Sequence, residues 1–346
     1  MRQYLNLVFG NDETRASLGK SIETASLSHA IILEGDRGSG KHTLAKEIAM
    51  ATLCENKNDP RHPLPCRVCR ACHMVDASLA PDIHYISRKD KATLGVDAVR
   101  EMIDDTVMSS VEFDAKLYIF EDAETMTAQA QNALLKIMEE PPPIVKILLL
   151  TESADSLLTT VRSRARTVRM QRFTAEEIEQ YLQKTAPNIL PSKESEKEET
   201  RALLLSAGGS IGRAIELLSP QSRIAVKKER EEIIGLLNAL TKKSYAALLS
   251  ALLSLTQKRD ELSRALLLLH TAIRDLILLK RAEAPQLCFF TKKESISEEF
   301  AAFRIGVLFA FADAIEETIS ELEKNANIQA SVTALAARLR NIQKER

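Results

Sequence analysis

Tryptophan is absent from this chain of 346 residues, and aromatics in all reach only 4%. Large flat side chains therefore cannot dominate the interior; with 45% apolar residues, the cores fall to leucine, isoleucine and alanine, which makes helix the expected filler. Neither charge is in excess, since 47 Lys and Arg face 48 Asp and Glu for a formal net charge of -1. That balance excludes whole-molecule attraction to nucleic acid or an anionic membrane, so any DNA contact has to be local or shared. Long apolar runs are also missing: Ala265–Leu269 and Leu276–Leu279 are broken by His270 and Arg274 and are too short to span a bilayer. Met1 is followed by Arg2, Gln3 and Tyr4 rather than by a basic segment and an apolar run, so no secretory signal is read and a cytoplasmic location without membrane attachment is expected. No repeat of fixed period is found.

What is present divides by pattern. The length favours two or three domains. Residues 1–170 alternate short β-like runs with helical patterns, the signature of a sheet with crossover helices. Ala30–Glu34, Leu117–Phe120 and Lys146–Leu150 read as buried strands, and Lys41–Leu53 and Ala128–Glu140 as helices, the second stopped by Pro141-Pro142-Pro143. At Thr174-Ala-Glu-Glu177 a capping box opens a small helical unit, residues 171–218, interrupted by a Pro, Ser, Lys and Glu-rich loop at 187–199 and resuming over Arg201–Leu218. Residues 219–346 read as a helical bundle, with strong patterns at 245–255, 261–281, 303–322 and 326–343 and only Gly235 and Gly306 to interrupt them.

Gly35-Asp-Arg-Gly38-Ser-Gly40-Lys41 matches the first seven positions of the phosphate-binding P-loop and lies between an expected strand and helix. Glycines let the backbone wrap a phosphate, the helix N-terminus presents free N–H groups, and Lys41 supplies a point charge. The eighth position calls for a Ser or Thr hydroxyl to ligate magnesium, but His42 stands there and Thr43 comes one place late. Imidazole suits that hard, oxygen-preferring ion poorly, so nucleotide binding stays open while magnesium-dependent catalysis is not expected. Glu121-Asp122 closes the second strand, where such ATPases place an Asp and then a Glu; the order is reversed, and a displacement of one methylene matters where catalysis depends on position. Without a motor function the two acids are simply a solvated strand end.

Cys54, Cys66, Cys69 and Cys72 follow the spacing C-x11-C-x2-C-x2-C, and only Cys288 lies outside the group. In a reducing cytosol this favours a metal over disulfides, and four thiolates suit a closed structural zinc site, with His62 and His73 as alternates. An iron–sulfur cluster is the rival, but the downstream Cys-Pro of the ferredoxin run is missing. Cys288, beside Phe289 and Phe290, reads as a core thiol.

A P-loop followed at once by a four-cysteine insertion, at about residues 54–72, resembles the bacterial clamp-loader family within the AAA+ ATPases, the DNA polymerase III subunits of gamma/tau and delta-prime type. Ser28-His29-Ala30, Asp97-Ala-Val-Arg100 and Asn132 to Pro142 resemble segments of those subunits. Asn325-Ala-Asn327 before the last helix is family-like as well. The resemblance implies an α/β P-loop domain over 1–170, a helical lid over 171–218 and an all-α collar over 219–346 through which five subunits form an open ring. It places Thr151 at the first phosphate sensor, Arg213 at the second, and Ser163-Arg164-Ala165 at the family's Ser-Arg-Cys motif. Arg164 is then expected to act as an arginine finger in trans on ATP held by a neighbouring subunit; its alternative reading, with Arg162 and Arg166, is a solvated basic strand edge.

The function implied is that of a delta-prime-type stator, partnered by gamma/tau motor subunits and the delta subunit, and acting through the assembled ring on the sliding clamp and primed DNA. A gamma/tau-like motor would want Ser or Thr at 42 and Asp-Glu at 121–122. An unrelated zinc-stabilised DNA-binding protein would want a basic patch, which the charge balance withholds.

Overall fold

The computed structural model describes residues 2–88, 91–190, 197–242, 244–255, 258–283, 286–290, 300, 303–324 and 326–344. The expected loop at 187–199 falls partly outside these residues, as does Asn325. Two compact units are present: 1–173 with 210–213, and 174–209 with 214–346.

In the first unit, apolar runs too short for helices form five parallel strands: β1 (Ala30–Glu34), β2 (Ile83–Ile86), β3 (Lys116–Phe120), β4 (Val145–Thr151) and β5 (Arg166–Arg169). Their order across the sheet is β2-β3-β4-β1-β5. Side chains alternate between two cores, as the period of two requires. Ile31, Leu33, Ile119 and Leu148 face a core shared with α1 (Asp12–Glu23), α2 (Lys41–Leu53) and α3 (Arg70–Asp76). Ile32, Phe120, Ile147 and Leu149 face the other, closed by α4 (Val96–Thr106), α5 (Ala128–Glu139) and the short α6 (Thr159–Arg162). The first three expected strands are present; β2 and β5, which the sequence pattern does not announce, are the two edges.

Register fixes what lies at the carboxyl ends. Glu34 at the end of β1 is opposite Thr151 at the end of β4 and Arg169 at the end of β5, and Phe120 of β3 is opposite Leu149. The loops after β1, β3 and β4 therefore share one edge of the sheet, the place where open α/β sheets bind ligands.

The second unit is helical. Thr174 caps α7 (Ala175–Thr185) by accepting the Glu177 N–H at 3.2 Å, while the Glu177 carboxylate accepts the Thr174 N–H at 2.8 Å, the expected capping box, worth about 1 kcal/mol. The helical stretch expected at 201–218 consists of two helices, α8 (Lys197–Ser206) and α9 (Ile211–Leu218), because Gly208 and Gly209 adopt φ of 62° and 86° and end the first. There follow α10 (Pro220–Thr241), α11 (Tyr245–Leu253), α12 (Arg259–Arg281), α13 (Ile305–Glu323) and α14 (Ile328–Lys344). Leu236, Leu266, Ile273, Phe311, Ile315 and Leu335 fill their common core. Among the described residues no helix is long and apolar enough to cross a membrane.

Candidate nucleotide site and cysteine cluster

The loop from Gly35 to Gly40 turns β1 directly into α2, whose N-cap is Gly40 at φ 95°. Gly38, at φ 76°, is needed twice over: besides its left-handed backbone, a Cβ there would sit 2.7 Å from the Arg213 nitrogen. Residues 210–213 press against this loop, with the Gly212 N–H donating to the Gly38 carbonyl at 2.9 Å and the Ser210 hydroxyl to that of Arg37 at 2.8 Å.

A cavity of about 740 Å³ opens over the loop, lined by Gly38, Gly40, Lys41, His42 and Thr43 from the sequence motif and by Asp122 from the end of β3. Lys41 is only 7% exposed; its amine folds back to donate to the carbonyls of Gly35 and, at 3.3 Å, Asp36. Burial pushes the lysine's pKa down, opposed by the nearby carboxylates of Glu152, Glu124, Asp36 and Asp122. A buried ammonium held only by neutral carbonyls is poised for an anionic ligand.

The other candidate residues divide. Nδ1 of His42 stands 3.6 Å from a Glu121 carboxylate oxygen, and Asp122, strained at φ 52°, stands 3.9 Å from Nε of Arg88. Thr151 is at the correct strand end but buried, its hydroxyl donating to the Ser153 carbonyl at 2.9 Å, and the neighbouring Glu152 lines the cavity in its place. Arg213 is exposed and is not among the lining residues. Arg164 also lies outside the cavity lining; its guanidinium is paired with Glu139 on α5. Arg37, Arg88, Glu124, Glu152 and Gly212 line the cavity without having been singled out from sequence. Arg37 lies within the motif itself, whereas Arg88, Glu124 and Glu152 follow β2, β3 and β4, which only the sheet order brings to this edge.

The four cysteines converge. All four sulfurs lie within 4.8 Å of one another and are buried, and neither His62 nor His73 joins them. Cys54 caps the end of α2, Cys69 caps the start of α3, and the ion pair between Arg67 and the buried Glu47 ties their connecting loop to α2. Cys66 and Cys72 sulfurs are 3.9 Å apart, close to the spacing of about 3.8 Å that tetrahedral Zn–S bonds of 2.3 Å produce. A hydrogen bond from Cys72 holds the Cys54 thiol down at about 5, while the same contact drives Cys72 up. Four thiols this crowded resist becoming thiolates together unless a cation shares their charge, so the donor set fits zinc. Cys288 is half-buried, with its sulfur 3.3 Å from Nη1 of Arg274.

Comparison with known proteins gives the same outline. The family described as "DNA polymerase III, delta subunit" matches residues 10–174, a segment that ends where the first unit does. DNA polymerase III subunit gamma of Buchnera aphidicola is 28% identical over 218 residues, 62% of this chain and 58% of that one. Subunit delta' of Bacillus subtilis is 31% identical over 202 residues, 58% of this chain and 56% of that one. Subunit delta' of Haemophilus influenzae is 35% identical over 136 residues, 39% of this chain and 40% of that one. Over residues 10–174 the chain is similar to DNA polymerase III subunits of the gamma and delta' type. It spans roughly half the length of the curated relatives it matches, and those relatives include both gamma and delta' subunits. The five-stranded parallel sheet with its glycine loop between β1 and α2 is a P-loop α/β arrangement.

Proposed function

We propose that the chain is a delta-prime-type stator of the clamp loader, a subunit that keeps the nucleotide fold, hydrolyses no ATP itself and completes the ATP site of a neighbouring gamma/tau motor subunit. One observation carries this reading. Where a motor needs a hydroxyl on magnesium, His42 stands beside Glu121, so the metal's oxygen ligand is replaced by a nitrogen that already faces the first acid.

In this reading Arg164 is the working residue. Its guanidinium is permanently charged and planar, able to bridge two oxygens of the neighbour's terminal phosphate as negative charge grows there. Within its own chain Arg164 donates to Glu139, the Thr160 carbonyl at 3.0 Å and the Ser163 hydroxyl at 3.2 Å, contacts that fix its direction before any partner arrives. Cys54, Cys66, Cys69 and Cys72 would hold a structural zinc ion, which would neutralise their thiolates and lock α2 to α3. The second unit supplies the lid and the collar through which motor and delta subunits assemble, and the sliding clamp and primed DNA are met by the assembled ring in the cytoplasm.

The test is turnover. Alone with magnesium the chain is expected to hydrolyse ATP no faster than background, and its addition to motor subunits is expected to raise theirs. Brisk magnesium-dependent turnover by the lone chain, abolished by Lys41→Ala, would establish the gamma/tau-like motor reading instead.

A further inference from the structure

A P-loop implies magnesium, and the residues around this one do not fit it. The ion is ordinarily held by the hydroxyl after the P-loop lysine and by acid at the end of the neighbouring strand. His42 offers an imidazole nitrogen in place of the hydroxyl, and magnesium takes oxygen ligands with strict geometry. Both acids, moreover, already face nitrogen: Glu121 faces His42 Nδ1 at 3.6 Å, and Asp122 faces Nε of Arg88 at 3.9 Å. Arg88 is steadied by the Ala92 carbonyl, which accepts from its Nη1 at 3.4 Å. A divalent ion entering here would have to displace a guanidinium that never loses its charge.

We propose that this pocket binds a nucleoside diphosphate without magnesium, with Lys41, Arg37 and Arg88 supplying the positive charge that the metal would bring elsewhere. The three bases line one cavity with the N-terminus of the 13-residue α2, whose free N–H groups face the same loop. Asp122, Glu124 and Glu152 line the same cavity and match the three bases in number, so a third phosphate adds negative charge that neither a metal nor net positive charge offsets. A triphosphate therefore binds no tighter than a diphosphate. The proposal rests on reading this site as a nucleotide pocket that does not turn over, yet it fails separately: the stator role fails on the neighbour's ATPase, this one on metal dependence of binding.

The experiment is a titration of the full chain with fluorescent ADP and ATP derivatives, once with excess EDTA and once with millimolar magnesium. The expected result is one affinity for ADP in both conditions and no gain for ATP. Arg88→Ala is expected to weaken ADP binding in EDTA on the order of tenfold, the effect of losing one charged contact. His42→Ser, which restores the hydroxyl, is expected to introduce magnesium dependence. Both side chains are substantially exposed, 45% for Arg88 and 60% for His42, so neither change threatens folding. Binding tightened by magnesium in the unaltered chain, absence of binding in both conditions, or indifference to Arg88→Ala would each overturn the proposal.

Discussion

Arg164 and Glu139 form a two-pronged ion pair, with Nε and Nη2 of the arginine 2.9 Å and 2.6 Å from one carboxylate oxygen. The pair joins the turn before β5 to the last residue of α5, so the arginine is aimed by an element of the rigid sheet layer rather than by a loose loop. At 36% exposure the contact adds little to stability, which leaves orientation as its main consequence. In an assembled clamp loader Arg164→Ala is expected to lower the motor ATPase on the order of 10³-fold. Arg164→Lys should recover little, since an ammonium cannot bridge two oxygens in a plane. Glu139→Gln leaves the arginine charged but neutralises its partner and loosens the aim, and a loss of about tenfold is expected. An ATPase rate indifferent to Arg164→Ala would end the finger assignment.

The cysteine cluster makes a countable prediction. Purified without chelator, the chain is expected to carry about one zinc by elemental analysis, the stoichiometry of a four-thiolate site. A thiol reagent should then label Cys288, which is half-buried, well ahead of the four buried cysteines. Chelation should bring all five into reaction, and Cys54→Ser should release the metal and lower the thermal midpoint. Rapid labelling of the four cluster thiols in freshly purified, unchelated protein would mean that no metal holds them.

Some of this was legible in the residues and some was not, for identifiable reasons. The α2 helix begins and ends where its sequence says, because Gly40 and Cys54 bound an unbroken run of helix formers. β1, β3 and β4 are covered on both faces and so read as apolar runs. The two edge strands are half polar: β2 is Ile-His-Tyr-Ile, and only Val168 of β5 is buried. Thr151 shows the limit of motif reading, since its position at the end of β4 fits a sensor while its hydroxyl is spent on Ser153. Arg88 was invisible because nothing in its own neighbourhood says that β2 lies beside β3.

In the second unit, Asp275 is fully buried on α12, and one of its oxygens accepts the N–H groups of Cys288, Phe289 and Phe290 at 2.9, 2.7 and 3.1 Å. Asp275→Ala would strand three donors in the core and is expected to cost about 3 kcal/mol by urea unfolding. Burial, the largest influence, raises the Asp275 carboxyl above its ordinary value, against the three N–H groups and Arg274. A carboxyl raised in the folded chain holds its proton more tightly there than in the unfolded chain. Its contribution is therefore complete below the unfolded value and declines as pH rises through the folded one. Asp275→Asn, which cannot ionise, should remove that decline, seen as a difference between the two unfolding curves that opens as pH rises above the ordinary aspartate value. Parallel pH profiles would show that Asp275 does not titrate differently on folding.

Two glycines distinguish a functional close approach from a tolerated one. A Cβ on Gly212 would lie 2.7 Å from Gly38 Cα and 2.9 Å from the Gly38 oxygen, both backbone atoms of the phosphate loop that cannot rotate aside. Gly212→Ala must therefore displace the loop or open the 210–213 contact, and a loss of nucleotide affinity on the order of tenfold is expected from misplacing one phosphate contact. Gly235 sits inside α10 with nothing within 4 Å of its Cβ position. Gly235→Ala is expected to stabilise the chain by about 0.5 to 1 kcal/mol and to leave nucleotide binding unchanged, because alanine only restricts the unfolded backbone. Fluorescent nucleotide titration and urea unfolding on both variants separate the two cases. Full nucleotide affinity in Gly212→Ala would show that the contact between these two glycines does not set the shape of the phosphate loop.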